Sequence, residues 1–303
     1  MYSQINERTG LVEQLVDARN AHVLEEIKAK IHQMNQPVGF DIETHDADRH
    51  DGLNQFMKLN KDAEDYKNPK KLVFDINRTT VTGFSLYIRG ETTVYYANMA
   101  HADEENRLAP ELARDFIQFL ADNPLKIIHN YPFERTMCLK SLGIDLGWNY
   151  VDTLQMAVSA YNSDQYDINL FRQSDLMGIK KLIPEIRRTF AGVNDFRQLD
   201  TAQQELIQKV LGKESKADHS YNGFVKSLNY GYNLKQITER IFGYKQTTFK
   251  DALLGRAHMG QLTGEEVLHY GADDAYWCVR VYDWLCQFMQ NTNPAVIRTF
   301  FEQ

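Results

Sequence analysis

The stretch TTVTGFSLYIRGETTVYYANMA, residues 79–100, constrains the fold more than any other part of this chain. Two runs of β-branched and aromatic residues flank the turn Arg89-Gly90-Glu91, the pattern of a β-hairpin. A two-stranded hairpin is marginal in water, so it needs further strands and a covering layer. QPVGFDI and LKIIHN read as buried strands that supply the first need. Helical spacing supplies the second. Residues 11–34, LVEQLVDARNAHVLEEIKAKIHQM, and 109–122, APELARDFIQFLAD, each carry an apolar stripe at helical period. PFERTMCLKSL reads as a helix opening near Pro132, and VDTLQMAVSAYN as one with Asp152 at its N-cap. From about 165 to 260 the chain is mostly helical with polar interruptions, and GEEVLHYGADDAYWCVRVYDWLCQFMQ is the last strong helix. Strands first and helices later predict an α/β domain whose sheet is covered by helices. Residues 1–35 read as an N-terminal helical segment, 36–290 as one domain, and 291–303 as a C-terminal tail or linker.

Composition narrows the class. With 303 residues, 43 % hydrophobic and 12 % aromatic, the chain can bury a large core, which excludes wholesale disorder. No run of about 18 apolar residues occurs, so a membrane span is not expected. The first twenty residues are too polar for a secretory signal. Cys138, Cys278 and Cys286 are odd in number and never paired as CxxC, which argues against a disulfide framework and fits a reducing cytoplasm. The formal net charge of −7 excludes simple coating of nucleic acid by bulk electrostatics. It does not exclude an enzyme that meets phosphates through bound cations, which clustered acids hold.

Four places combine acids with unusual neighbours. In VGFDIETHD, Asp41 and Glu43 are two residues apart on an extended strand, so both side chains leave the same face and repel each other. Water, a basic neighbour or a metal ion must offset that. HNYPFE, residues 129–134, sits where a strand passes into a helix, and Asp152-Thr153 at another helix start. In YGADD, Tyr270 and Asp274 lie one helical turn apart on one face, while Asp273 is rotated away by about 100°. Each has a plainer alternative. Acid pairs are common in solvated loops, Asn130 and Asp152 are natural helix caps, His129 suits a satisfied core position, and Tyr270 and Asp274 could be a hydrogen-bonded pair within the helix.

As an ordered set these motifs resemble the 3′–5′ exonuclease domains of the DEDD superfamily, tyrosine subclass, of the proofreading type found in family A DNA polymerases, often phage-encoded. FDIET resembles the first motif, D-x-E; HNYPFERTM the second, H-N-x-x-F-D; and YGADD the third, Y-x-x-x-D. VYYANMAH and DTLQMA resemble the segments between and after the first two, so the likeness runs from about residue 36 to 288. It implies a ribonuclease H-like fold: a mixed central sheet flanked by helices, here with helical insertions at about 46–77 and 165–225. One departure stands out. The second motif ordinarily ends in aspartate, and this chain has Glu134, one methylene longer.

The resemblance implies Asp41, Glu43, Glu134, Tyr270 and Asp274 as catalytic residues, the four acids holding two Mg2+ or Mn2+ ions. Asp41 is expected to bridge the ions, Glu43 and Asp274 to bind one, and Glu134 to serve the other through water. Tyr270 is expected to orient the attacking water, since its ordinary pKa makes it a poor base at neutral pH. The substrate implied is single-stranded DNA or a frayed DNA 3′ end, with a polymerase domain or separate polymerase subunit as partner and no membrane. Asn130 and Phe133 are candidate substrate contacts, Phe133 equally a core residue. Lys180, Lys181, Arg187 and Arg188, in KKLIPEIRR, form the clearest basic cluster and either bind the strand or solvate a helix face. SLNYGYNLKQ, with Lys235, is a weaker candidate of that kind. Two alternatives remain: an RNA-trimming nuclease resembling RNase D, or a nuclease-like binding module that has lost activity. The location expected is cytoplasmic, the host's if the chain is phage-encoded.

Overall fold

The computed structural model describes residues 2–46, 76–160, 200–202, 204–205, 232–292 and 294–301. Seven strands form one mixed sheet: β1 (Ser3–Ile5), β2 (Val12–Val16), β3 (Val38–Asp46), β4 (Thr79–Ile88), β5 (Thr93–Asn98), β6 (Lys126–Ile128) and β7 (Tyr150–Asp152). Their order is β1-β2-β5-β4-β3-β6-β7. The hairpin read from the sequence is β4–β5, antiparallel, and β3 joins β4 antiparallel with Asp41 opposite Ser85 and Glu43 opposite Gly83. On its other edge β3 pairs in parallel with β6, and β6 with β7.

The helices are α1 (Val23–Met34), α2 (Pro110–Asp122), α3 (Tyr131–Leu142), α4 (Thr153–Ala160), α5 (Leu234–Phe242), the single turn α6 (Phe249–Ala252), α7 (Gly264–Thr292) and α8 (Pro294–Phe301). Strand alternation divides them between two cores. Val38, Phe40 and Ile42 of β3 pack with α1, α2 and α3 on one face. Tyr87 and Tyr96 of the hairpin pack with α4, α5 and α7 on the other. This mixed sheet with helices on both faces is the α/β arrangement expected. Among the described residues, no helix is long and apolar enough to cross a membrane.

The N-terminus departs from expectation. The helix read over 11–34 begins only at Val23; residues 12–16 are strand β2, paired in parallel with β5 and antiparallel with β1. A short apolar run fits either period, and local chemistry decided against helix here. The Asn20 side chain donates to the Leu15 carbonyl and accepts from the Asp17 amide, closing a turn that separates strand from helix. Residues 294–301, read as part of a tail or linker, form α8, and Phe300 packs against the α7-side core. Asp46 pairs with Thr79, so the two ends of the expected first insertion are neighbours. Most of the 165–225 insertion, with the KKLIPEIRR cluster (Lys180, Lys181, Arg187 and Arg188), lies outside the described residues.

Candidate active site

Strand period places Gly39, Asp41 and Glu43 on the face toward α7. Gly39 sets how near that helix comes. A Cβ there would lie 2.2 Å from the Ala275 carbonyl oxygen and 2.8 Å from Val279, so only glycine lets strand and helix backbones touch. Gly271 does the same one turn earlier, where a Cβ would meet the Tyr96 ring at 2.4 Å. With α7 seated this closely, Asp274 meets Asp41 and Glu43, and carboxylate oxygens of the three lie within 4.8 Å of one another. The β3–β4 register shifts between Glu43 and Thr44, a bulge of the kind that re-aims side chains beside functional sites.

This triad is poorly solvated. Glu43 and Asp274 are each 9 % exposed. Burial, and then the charge of Asp274, raises the Asp41 carboxyl well above its ordinary range; burial, and then Asp41, does the same to Glu43. Burial also raises Asp274, opposed by Lys235. The Lys235 ammonium lies 3.3 Å from Asp274 Oδ1 and 4.2 Å from the centre of the Tyr270 ring. Gln246 Nε2 donates to the same Oδ1 at 2.6 Å. Tyr270, one turn before Asp274, is buried, and burial followed by the nearby carboxylates pushes its hydroxyl far up, so it keeps its proton.

Glu134 comes from the first turn of α3. It is 4 % exposed, and its Oε2 has no hydrogen-bond partner. Burial first, then the charge of Asp41, raises its carboxyl well above normal. It is not one of the three acids within 4.8 Å, so the fourth acid stands beside the triad as a separate arm. A buried carboxylate oxygen with no donor is costly unless a proton or cation meets it. The donor set, all hard oxygens from four acids, fits Mg2+ or Mn2+.

The neighbouring residues resolve several open readings. Asp152 accepts from the amides of Asn130 and Tyr131 at 2.9 and 3.1 Å and from Leu154 at 2.9 Å, so one carboxylate closes the starts of both α3 and α4. Asn130 does not cap α3 with its side chain; it adopts a left-handed conformation (φ 75°) and is exposed. His129 bonds Thr153 Oγ1 at 2.9 Å, and burial lowers its pKa to about 4, as befits a neutral core histidine. Phe133 packs partly against the core on the α3 side. Asp145 is tied to Arg135 at 2.6 Å, away from the triad.

No protein-family model matches the sequence. No curated protein matches it either. Among solved structures, the chain is similar to the EXO domain of Nibbler from Aedes aegypti. That pair shares 12 % identity over 99 % of each chain, with a TM-score of 0.48.

Sequence reasoning missed Gln246 altogether, because a lone glutamine in FGYKQTTF carries no periodic or motif signal. It noted Lys235 only as a weak basic candidate, and Asp273 only as facing elsewhere. What Asp273 faces is a second cluster, with Glu13 and His269.

Proposed function

We propose that this chain is a metal-dependent 3′–5′ exonuclease that removes nucleotides from DNA 3′ ends, in the manner of a polymerase proofreading domain. The observation that carries the reading is the convergence of Asp41, Glu43 and Asp274 within 4.8 Å, beside a buried and unsatisfied Glu134. One ammonium, at Asp274, does not balance four buried acids, and bound cations would. Asp41, Glu43, Asp274 and Glu134 would hold divalent ions, whose charge would acidify an attacking water and offset the charge on the departing 3′ oxygen.

The remaining roles belong to the chain. Tyr270 holds its proton and offers a fixed hydroxyl against which a water can be oriented. Lys235 and Gln246 both meet Asp274 Oδ1; the Gln246 amide orients the carboxylate, while the Lys235 ammonium offsets its charge until a cation binds. Exposed Asn130 has a side chain free of any capping bond, available to a terminal nucleotide. A single-stranded 3′ end suits a net acidic protein, since the contact is with few phosphates rather than a duplex.

The test is incubation with 3′-labelled single-stranded DNA, the matched RNA and a mismatched DNA duplex, each with Mg2+, Mn2+ or EDTA. Release of mononucleotides from DNA with either metal and none with EDTA is expected. Release from RNA alone would replace DNA by RNA as substrate, and no release with any metal would sink the enzymatic reading.

A further inference from the structure

About 100° around α7 from Asp274, Glu13 of β2 meets His269 and Asp273. One donor atom from each lies within 4.8 Å of the others. Glu13 is 2 % exposed, and its oxygens are held in place: Gln4 Nε2 donates to Oε2 at 2.8 Å, and Asn6 Nδ2 and His269 Nδ1 each reach Oε1 at 2.8 Å. Asp273 is 3 % exposed. Tyr244 donates to its Oδ1 at 3.0 Å, and its Oδ2 has no hydrogen-bond partner. The imidazole thus satisfies Glu13 and leaves one buried carboxylate oxygen unmet.

We propose that Glu13, His269 and Asp273 form a second cation site, for a divalent transition-metal ion such as Zn2+, distinct from the triad at Asp274. Its chemistry differs from the triad's in one donor. An imidazole nitrogen with two carboxylates suits Zn2+ better than Mg2+. The ion takes the place of the His269 Nδ1 proton, which passes to solvent, and Oδ2 of Asp273 completes the protein ligands. Donors about 2.1 Å from an ion lie at most about 4.2 Å apart, so the widest pair must close slightly. His269, whose side chain is 40 % exposed, has room to do so. Gln4, Asn6 and Tyr244 already hold the carboxylates from behind, as outer-shell groups do. Occupancy would tie β2 to α7 one residue from Asp274, independently of whether the triad performs hydrolysis.

The test uses Co2+ as probe on the full chain carrying Asp41→Asn and Asp274→Asn, which disables the triad. Equilibrium dialysis should show one Co2+ per chain with the visible absorption of a histidine-ligated ion. Adding His269→Gln should weaken binding at least tenfold and abolish the absorption. Asp273→Asn, which retains the Glu13–His269 contact, should weaken binding similarly and serves if the histidine variant fails to fold. Zn2+ should raise the Tm of the double variant and leave that of its Asp273→Asn derivative unchanged. Failure of the double variant to bind Co2+, or Co2+ binding that survives Asp273→Asn intact, would overturn the proposal.

Discussion

Helix α7 carries adjacent aspartates that enter clusters of different character. Asp274 joins Asp41 and Glu43, a set of three carboxylates in which Asp274 is met by a lysine and a glutamine. Asp273 joins Glu13 and His269, where an imidazole and amide side chains already share the charge. One residue of helix turns a side chain by about 100°, so neighbours in sequence address different faces of the same helix. The first cluster is strained toward a hard cation; the second is partly self-neutralised.

The contrast breaks most sharply on activity. Asp274→Asn should lower the single-turnover rate by on the order of 10^3-fold, whereas Asp273→Asn should leave it within about tenfold. Equal losses, measured by mononucleotide release under saturating Mg2+, would merge the two clusters into one functional unit.

Next comes the packing that keeps Asp274 on the triad. Gly39→Ala forces a Cβ onto the Ala275 carbonyl and should cost about 3 kcal/mol in urea unfolding. It should also lower activity by moving Asp274, while Co2+ binding at His269 persists.

pH separates the clusters from the buried histidines. Burial and neighbouring acids raise the Asp41 and Glu43 carboxyls, and burial raises Asp274 and takes Asp273 to about 6. In the metal-free fold these groups therefore keep their protons to higher pH than in the unfolded chain, and their contribution is lost as pH rises through the folded pKa. His101 and His129 run the other way. Burial lowers both to about 4, so the unfolded chain takes up their protons first, and stability falls as pH drops below about 6.5. Each costs about 1 kcal/mol at pH 5.5 on that basis. In EDTA, stability should therefore peak at mildly acidic pH. Mn2+ should raise Tm more at pH 8 than at pH 5.5, because the ion replaces protons on the acids; a larger rise at pH 5.5 would contradict this.

The smallest effect expected is at Lys235. Lys235→Met removes a cation 3.3 Å from Asp274, and the apparent Mg2+ affinity, by titration calorimetry, should rise roughly three- to tenfold. No change would show that the ammonium moves away without cost.

Much of this was readable in advance. The hairpin, α7 and the shared faces of Asp41 with Glu43 and of Tyr270 with Asp274 follow from periods of two and 3.6 residues, which are local. The helix expected at 11–16 failed for the same reason inverted: a five-residue run has too little period to decide, and pairing with β5 decided it. Gln246 was invisible because its role exists only across the gap to Asp274.

By itself, the sequence determined which acids could act together on one face of one element, since that is a property of bond geometry over a few residues. Only the tertiary structure brought Asp41 and Glu43 to Asp274, set Glu134 apart from them, and sent Asp273 to Glu13 instead. Those outcomes rest on the approach of α7 to β3 at Gly39, a packing distance between segments more than 200 residues apart that no local pattern encodes.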